Sequence, residues 1–104
     1  MVAKEEVLVI ALFVRYRVQP GKMEEVVEAL REMAPLARSE EGCREYLVQR
    51  ARDDADALAL YEVYDDENAL AVHSETDHFK RIVVDRIVPM LESREREYYE
   101  LLDI

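Results

Sequence analysis

The chain has little cysteine, little positive charge and no long apolar run, and each shortage removes a class of function. A single cysteine, Cys43, in 104 residues excludes an internal disulfide and cannot build a structural zinc site, and it suits a reducing compartment. As a nucleophile Cys43 would need a His or Lys beside it in sequence, and none is there, so a buried or idle thiol is the plainer reading. Lys and Arg number 14 against 24 Asp and Glu, a net charge of −10. That balance opposes binding to nucleic acid or to an anionic membrane, because both need clustered cations. The longest apolar run, VLVIALFV (Val7–Val14), is far below the ~20 residues of a membrane helix. It also begins too late, behind Lys4-Glu5-Glu6, for a secretory signal. These features describe a soluble cytoplasmic protein. No linker or low-complexity segment divides it, so residues 1–104 read as one domain with a single, shallow core.

What is present is a set of alternating periods. EVLVIALFVRYRV (Glu6–Val18) starts as an unbroken apolar run, the mark of a strand covered on both faces, and then alternates at Val14, Tyr16 and Val18. Gln19-Pro20-Gly21 ends it as a turn. Met23, Val26, Val27, Leu30, Met33, Ala34 and Ala37 form a helical stripe; Pro35 predicts a kink or a second short helical piece, and Gly42 a helix-ending glycine. Two alternating strands follow, Cys43–Ala51 and Ala57–Tyr64, joined by the turn RDDAD. Asp65 and Asp66 read as a capping pair for a short helix, ENALAVHS, and Thr76 as the cap of a longer one carrying Phe79, Ile82, Val83, Arg86, Ile87 and Met90, with Pro89 at its end. The tail Arg94–Ile104 reads as a last strand, with a short acidic helix as its rival.

The order β-α-β, β-α-β predicts an α+β, ferredoxin-like split β-α-β fold: a four-stranded antiparallel sheet with helices on one face. The other face is then bare. Since the first strand is apolar on both sides and nothing in the chain is left to cover it, a second copy is the simplest cover, which predicts a homodimer packed sheet to sheet.

Three pieces, RVQPGKMEEVVEALREM, PLARSEEGCREY and LYEVYDDENALAVHSETDHF, resemble the antibiotic biosynthesis monooxygenase family of small dimeric α/β barrel proteins. The third is the most specific, through its Tyr-Glu pair, its acidic turn and both histidines. The resemblance implies a cofactor-independent monooxygenase that acts on a small quinol or phenolic substrate with dioxygen, using no metal, flavin or haem. The substrate does the redox work once deprotonated; the protein supplies a dry pocket, a proton acceptor and groups that hold the anion. Histidine is the side chain best suited to accept that proton near neutral pH. By this resemblance His73 is the candidate catalytic base, and Val14, Tyr46, Tyr61, Glu62, His78 and Phe79 are candidate substrate-binding residues. Strand alternation puts Tyr61 and Glu62 on opposite faces, so at most one of them lines a given pocket.

Plainer readings stand beside these. Either histidine can be a helix-end cap or a solvated residue. Glu62 can pair across the sheet with Arg15 or Arg50, and the tyrosines can be core or interface residues. The haem-degrading branch of the fold uses Asn, Trp and His where this chain has Val14, His73 and Val83, and with no Trp anywhere that activity is not expected. A metal site is not expected either: His73 and His78 lie five positions apart, about 140° around a continuous helix. The same run also resembles an isomerase of a small phosphorylated dione from autoinducer-2 breakdown, which needs a cationic grip on phosphate; Arg15, Arg17, Arg50, Lys80 and Arg81 are the candidates for it. A third possibility is a non-catalytic dimer that binds a small ligand. An oxygenase pocket should be apolar apart from one His, an isomerase pocket should have Arg or Lys at its mouth, and a binding protein needs no titratable group facing inward.

Overall fold

A computed structural model describes residues 7–104. Lys4, Glu5 and Glu6, on which the reading of the N-terminal run partly rests, lie outside the described residues. Seven main elements follow one another: β1 (Ile10–Val18), α1 (Met23–Arg38), β2 (Cys43–Arg50), β3 (Ala57–Tyr64), α2 (Glu67–Glu75), α3 (Phe79–Ile87) and β4 (Leu91–Glu100). The strands form one antiparallel sheet in the order β2-β3-β1-β4. This is the ferredoxin-like α+β plan read from the sequence.

The period of β1 decides which face is covered. Leu12, Val14, Tyr16 and Val18 join Val26, Leu30 and Met33 of α1 and Ile82, Val83 and Ile87 of α3 in one core. Their neighbours Phe13, Arg15 and Arg17 point to the opposite face and are exposed. No helix lies on that second face among the described residues. It carries an aromatic cluster instead: the Phe13 ring lies 5.0 Å from Tyr61 and 5.5 Å from Tyr99, with Leu47 beside Tyr61 in the ladder. Phe13 and Leu47 both remain 42% exposed.

Several local expectations need correction. β1 begins at Ile10, leaving Val7, Leu8 and Val9 of the apolar run outside it, and only Ile10, Ala11 and Leu12 are buried in succession. The second helical piece after Pro35 does not form. α1 runs through it, because Pro35 is exposed near the helix end while Ala34 and Ala37 on either side stay buried in the core stripe. Gly42 is not a left-handed helix cap, since Gly21, with φ 80°, is the one glycine in that region. Gly42 is instead a packing glycine: a Cβ there would collide with the Ala69 Cβ of α2. Asp66 caps α2, its Oδ1 accepting from Ala69 N at 2.7 Å, whereas Asp65 pairs with Arg44 at 2.5 Å. α3 is wound more widely than an α-helix, closing on a bond from Val88 N to Val83 O, and a 3₁₀ turn at Val88–Met90 takes in Pro89. Such i→i+5 winding is that of a π-helix, which more often appears as a single-turn bulge within an α-helix. The last strand starts at Leu91 and ends at Glu100, three residues earlier at its start than the charge pattern suggests; no acidic helix forms there.

Candidate active site

A cavity of about 510 Å³ lies between the helix-side face of β1 and β4 and the pair α2 and α3. It exists because α1 lies over β2 while β4 has β1 as its one substantial neighbour, so one corner of the sheet is left without a helix above it. Leu12, Val14 and Tyr16 form its floor, Tyr46 and Glu62 extend the floor across the sheet, and His73, Phe79 and Val83 form the inner wall. Arg94, Arg96 and Tyr98 of β4 form the outer edge.

Local chemistry fixes His73. The Asp66 cap starts α2, and Thr76 stops it: the Thr76 hydroxyl donates to His73 O at 2.8 Å and accepts from Phe79 N at 3.1 Å. Thr76 itself is extended (φ −67°, ψ 150°), so the chain turns between the two histidines. The helical-wheel argument that kept His73 and His78 apart therefore fails. Both donate to one carboxylate, Glu40, in the turn after α1. His73 Nδ1 lies 2.8 Å from Glu40 Oε1 and His78 Nε2 2.6 Å from Glu40 Oε2. His73 is 3% exposed, and its ring is wedged 5.0 Å from Tyr64 and 5.2 Å from Phe79.

The other ring nitrogen faces a second acid. His73 Nε2 is 3.6 Å from Glu62 Oε1, which accepts from Tyr64 OH at 2.5 Å. Burial works against the charge on Glu40, but the hydrogen bonds from His73 and His78 outweigh it and hold its carboxyl below the ordinary range. Glu62 goes the other way: burial raises it, against the Tyr64 hydrogen bond and the His73 charge. An ionised Glu40 can only accept, so Nδ1 of His73 carries the proton and Nε2 presents a lone pair. A proton taken up at Nε2 would leave an imidazolium flanked by Glu40 and Glu62, both placed to stabilise it. The arrangement is a hydrogen-bonded chain: among the described residues no three His, Cys, Asp or Glu are placed to hold a metal ion.

Of the candidate residues, Val14, Tyr46, Glu62, His73 and Phe79 border the cavity. Tyr61 does not; it lies on the opposite face against Phe13, as β3 alternation requires. His78 does not either, and reaches the site only through Glu40. Glu62 pairs with neither Arg15 nor Arg50, because it faces the helices while Arg15 faces the bare side and pairs with Glu97. Arg17, Lys80 and Arg81 pair with Asp54, Glu75 and Asp77, and none of the cations proposed to grip phosphate borders the cavity. The Cys43 thiol is pushed up to about 11, first by burial and then by Glu40 and Glu62, so it is a poor nucleophile.

Sequence reasoning missed Glu40, Tyr16, Tyr64, Arg94 and Arg96. Tyr16 is visible only as a core position in an alternating strand, and Glu40 looks like any surface acid at a helix end.

The profile of the antibiotic biosynthesis monooxygenase family matches residues 9–84. No curated protein matches the chain. Among solved structures, a conserved protein from Methanosarcina mazei is 28% identical, with TM-score 0.84 over 89% of this chain and 92% of that one. A Bacteroides thetaiotaomicron protein of unknown function, suggested to be an oxidoreductase, is also 28% identical, with TM-score 0.84 over 92% of this chain and 100% of the other. A Nitrosomonas europaea protein proposed to be an antibiotic biosynthesis monooxygenase shares the fold at 24% identity, TM-score 0.88 and 97% coverage of both chains.

Proposed function

The chain belongs to the antibiotic biosynthesis monooxygenase family, and on that premise we propose that it is a cofactor-independent monooxygenase acting on a small quinol or phenol. His73 Nε2 takes the hydroxyl proton, and the electron-rich anion reacts with dioxygen. One oxygen atom enters the ring, the other leaves as water, and both electron pairs come from the substrate. The observation that carries this reading is the pinned His73: a buried imidazole at the cavity wall, with Nδ1 committed to Glu40 and Nε2 left to act as base. Val14 and Phe79 supply apolar walls, and Tyr46 and Glu62 polar positions beside the ring. The active species is a homodimer formed through the bare sheet face, a reading supported by the uncovered Phe13, Tyr61, Leu47 and Tyr99.

The test is dioxygen uptake by purified protein with a panel of quinols and hydroxylated polycyclic phenols and no added cofactor. Uptake is expected, His73→Ala should lower its rate by roughly 10²-fold or more, and a chelator should change nothing. Absence of uptake across the panel sinks the reading. A second reading, proton transfer on a small phosphorylated dione without oxygen, is favoured by one observation: the outer edge of the cavity carries Arg94 and Arg96.

A further inference from the structure

The outer wall of the cavity carries positive charge that no acid among the described residues neutralises. Arg94 and Arg96 are alternate residues of β4 and so share a face; they stand opposite Tyr16 and Val14 of β1 in the ladder, and both border the cavity. Elsewhere on the sheet, Arg15, Arg17 and Arg44 each hold an acid, at 2.6, 2.7 and 2.5 Å. Arg94 and Arg96 hold none among the described residues, in a chain with 24 acids. An exposed arginine is often merely solvated, as Arg50 is at the far end of β2. The difference here is what lies beneath the pair.

Tyr16 and Tyr46 are 3% and 2% exposed and border the same cavity. Neither hydroxyl has a hydrogen-bond partner among the described residues, although no side-chain polar atom sealed from water is left unpartnered. Both hydroxyls must therefore be reached from the cavity. Burial, reinforced by Glu62, raises both phenols, so they stay protonated and able to donate. The cavity is thus polarised. At one end lie His73, with Glu62 and Tyr46 paired beside it; at the other lie the Tyr16 donor and two guanidinium groups.

We propose that Arg94 and Arg96, with Tyr16 beside them on β1, form a subsite for an anionic substituent, a carboxylate or a phosphate, on the molecule whose hydroxyl faces His73. Guanidinium groups match the planar geometry of such oxyanions. A ligand with its hydroxyl toward α2 and its anion toward β4 satisfies both walls, whereas the reverse orientation sets the anion against Glu62. The identity of the rest of the ligand rests on the monooxygenase reading; the anion subsite does not.

The test is equilibrium binding, followed by calorimetry or ligand fluorescence without turnover. The probes are 3-hydroxy-2-naphthoate, 2-naphthyl phosphate and 2-naphthol. At low salt at least one of the two anions should bind about tenfold or more tightly than 2-naphthol, the size expected of charge-assisted hydrogen bonds, and the tighter of the two identifies the substituent. Added salt should erode that preference. Arg94→Gln with Arg96→Gln should abolish it, affinity for the anions falling about tenfold or more relative to that for 2-naphthol. Should the double variant fail to fold, competition by inorganic phosphate against the bound anion in the wild-type protein decides. Equal binding of all three probes, no binding of any, or a preference that survives both substitutions and salt overturns the subsite. An anion preference in a protein that takes up no dioxygen keeps the subsite and removes the oxygenase reading alone.

Discussion

Glu40 Oε1 and His73 Nδ1 lie 2.8 Å apart, joined across 33 residues of chain. The same carboxylate reaches His78, so one acid in the turn after α1 fixes both histidines. This resembles the logic of a base oriented by a buried acid, in which the acid sets the tautomer and the base does the chemistry.

Glu40 should accordingly act as a positioning residue. Glu40→Gln keeps the size but can accept from only one histidine well. We expect kcat to fall by about 10- to 100-fold with KM little changed, and Glu40→Asp to recover part of the loss. Nitrogen NMR of the His73 ring should show a mixture of tautomers in Glu40→Gln. An unaltered kcat together with a single unaltered tautomer contradicts the assignment.

The two acids beside His73 should pull stability in opposite directions with pH. Glu40 is held below its ordinary 4.5, so its contribution is present above that value and is lost as pH falls through its folded value. Glu62 is raised above 4.5, so stability falls as pH rises from 4.5 through its folded value. In urea denaturation Glu62→Gln should be more stable than wild type at pH 7, with the gain vanishing toward pH 4. Glu40→Gln should be less stable at pH 7, with that gap closing as pH falls below 4.5. Parallel pH curves for all three proteins would count against both directions.

Gly42→Ala should destabilise by about 1–3 kcal/mol, because its Cβ meets Ala69 and pushes on the helix that carries His73. Ala69→Gly in the same chain should recover part of this, and the non-additivity of the pair is the quantity to measure. Strict additivity would mean that the two residues do not press on each other.

If the bare sheet face is the dimer interface, Phe13→Glu should dissociate the protein and lower its melting temperature together, since burial of this kind is usually obligate. Sedimentation of wild type as a monomer at micromolar concentration would exclude that assembly.

The fold was largely legible because its period is strong. β3 has the bounds that alternation gives it, Ala57–Tyr64, and α1 follows its stripe from Met23. The site was legible only where chemistry is rare: two histidines in 104 residues draw attention, and one of them borders the cavity. Glu40 is one acid among many, and its role depends on a turn that brings the end of α1 to the end of α2. Arg94 and Arg96 lie on a strand whose face depends on its register with β1, which no local pattern sets. The wide winding of α3 likewise carries no signal in the apolar spacing of Ile82, Val83 and Ile87.

The strand order leaves β2 and β4 as the two free edges of the sheet. A free edge is a template on which another chain can add a strand, and short of being covered it is defended by charge. Both edges here are charged along their length, as Arg44, Glu45 and Arg50 on β2 and Glu92 through Glu97 on β4. That defence is colloidal as much as local, because it relies on a net charge that disappears near the isoelectric point of about 4.6. Mildly acidic buffers should therefore bring the molecules together edge to edge and precipitate them while each is still folded.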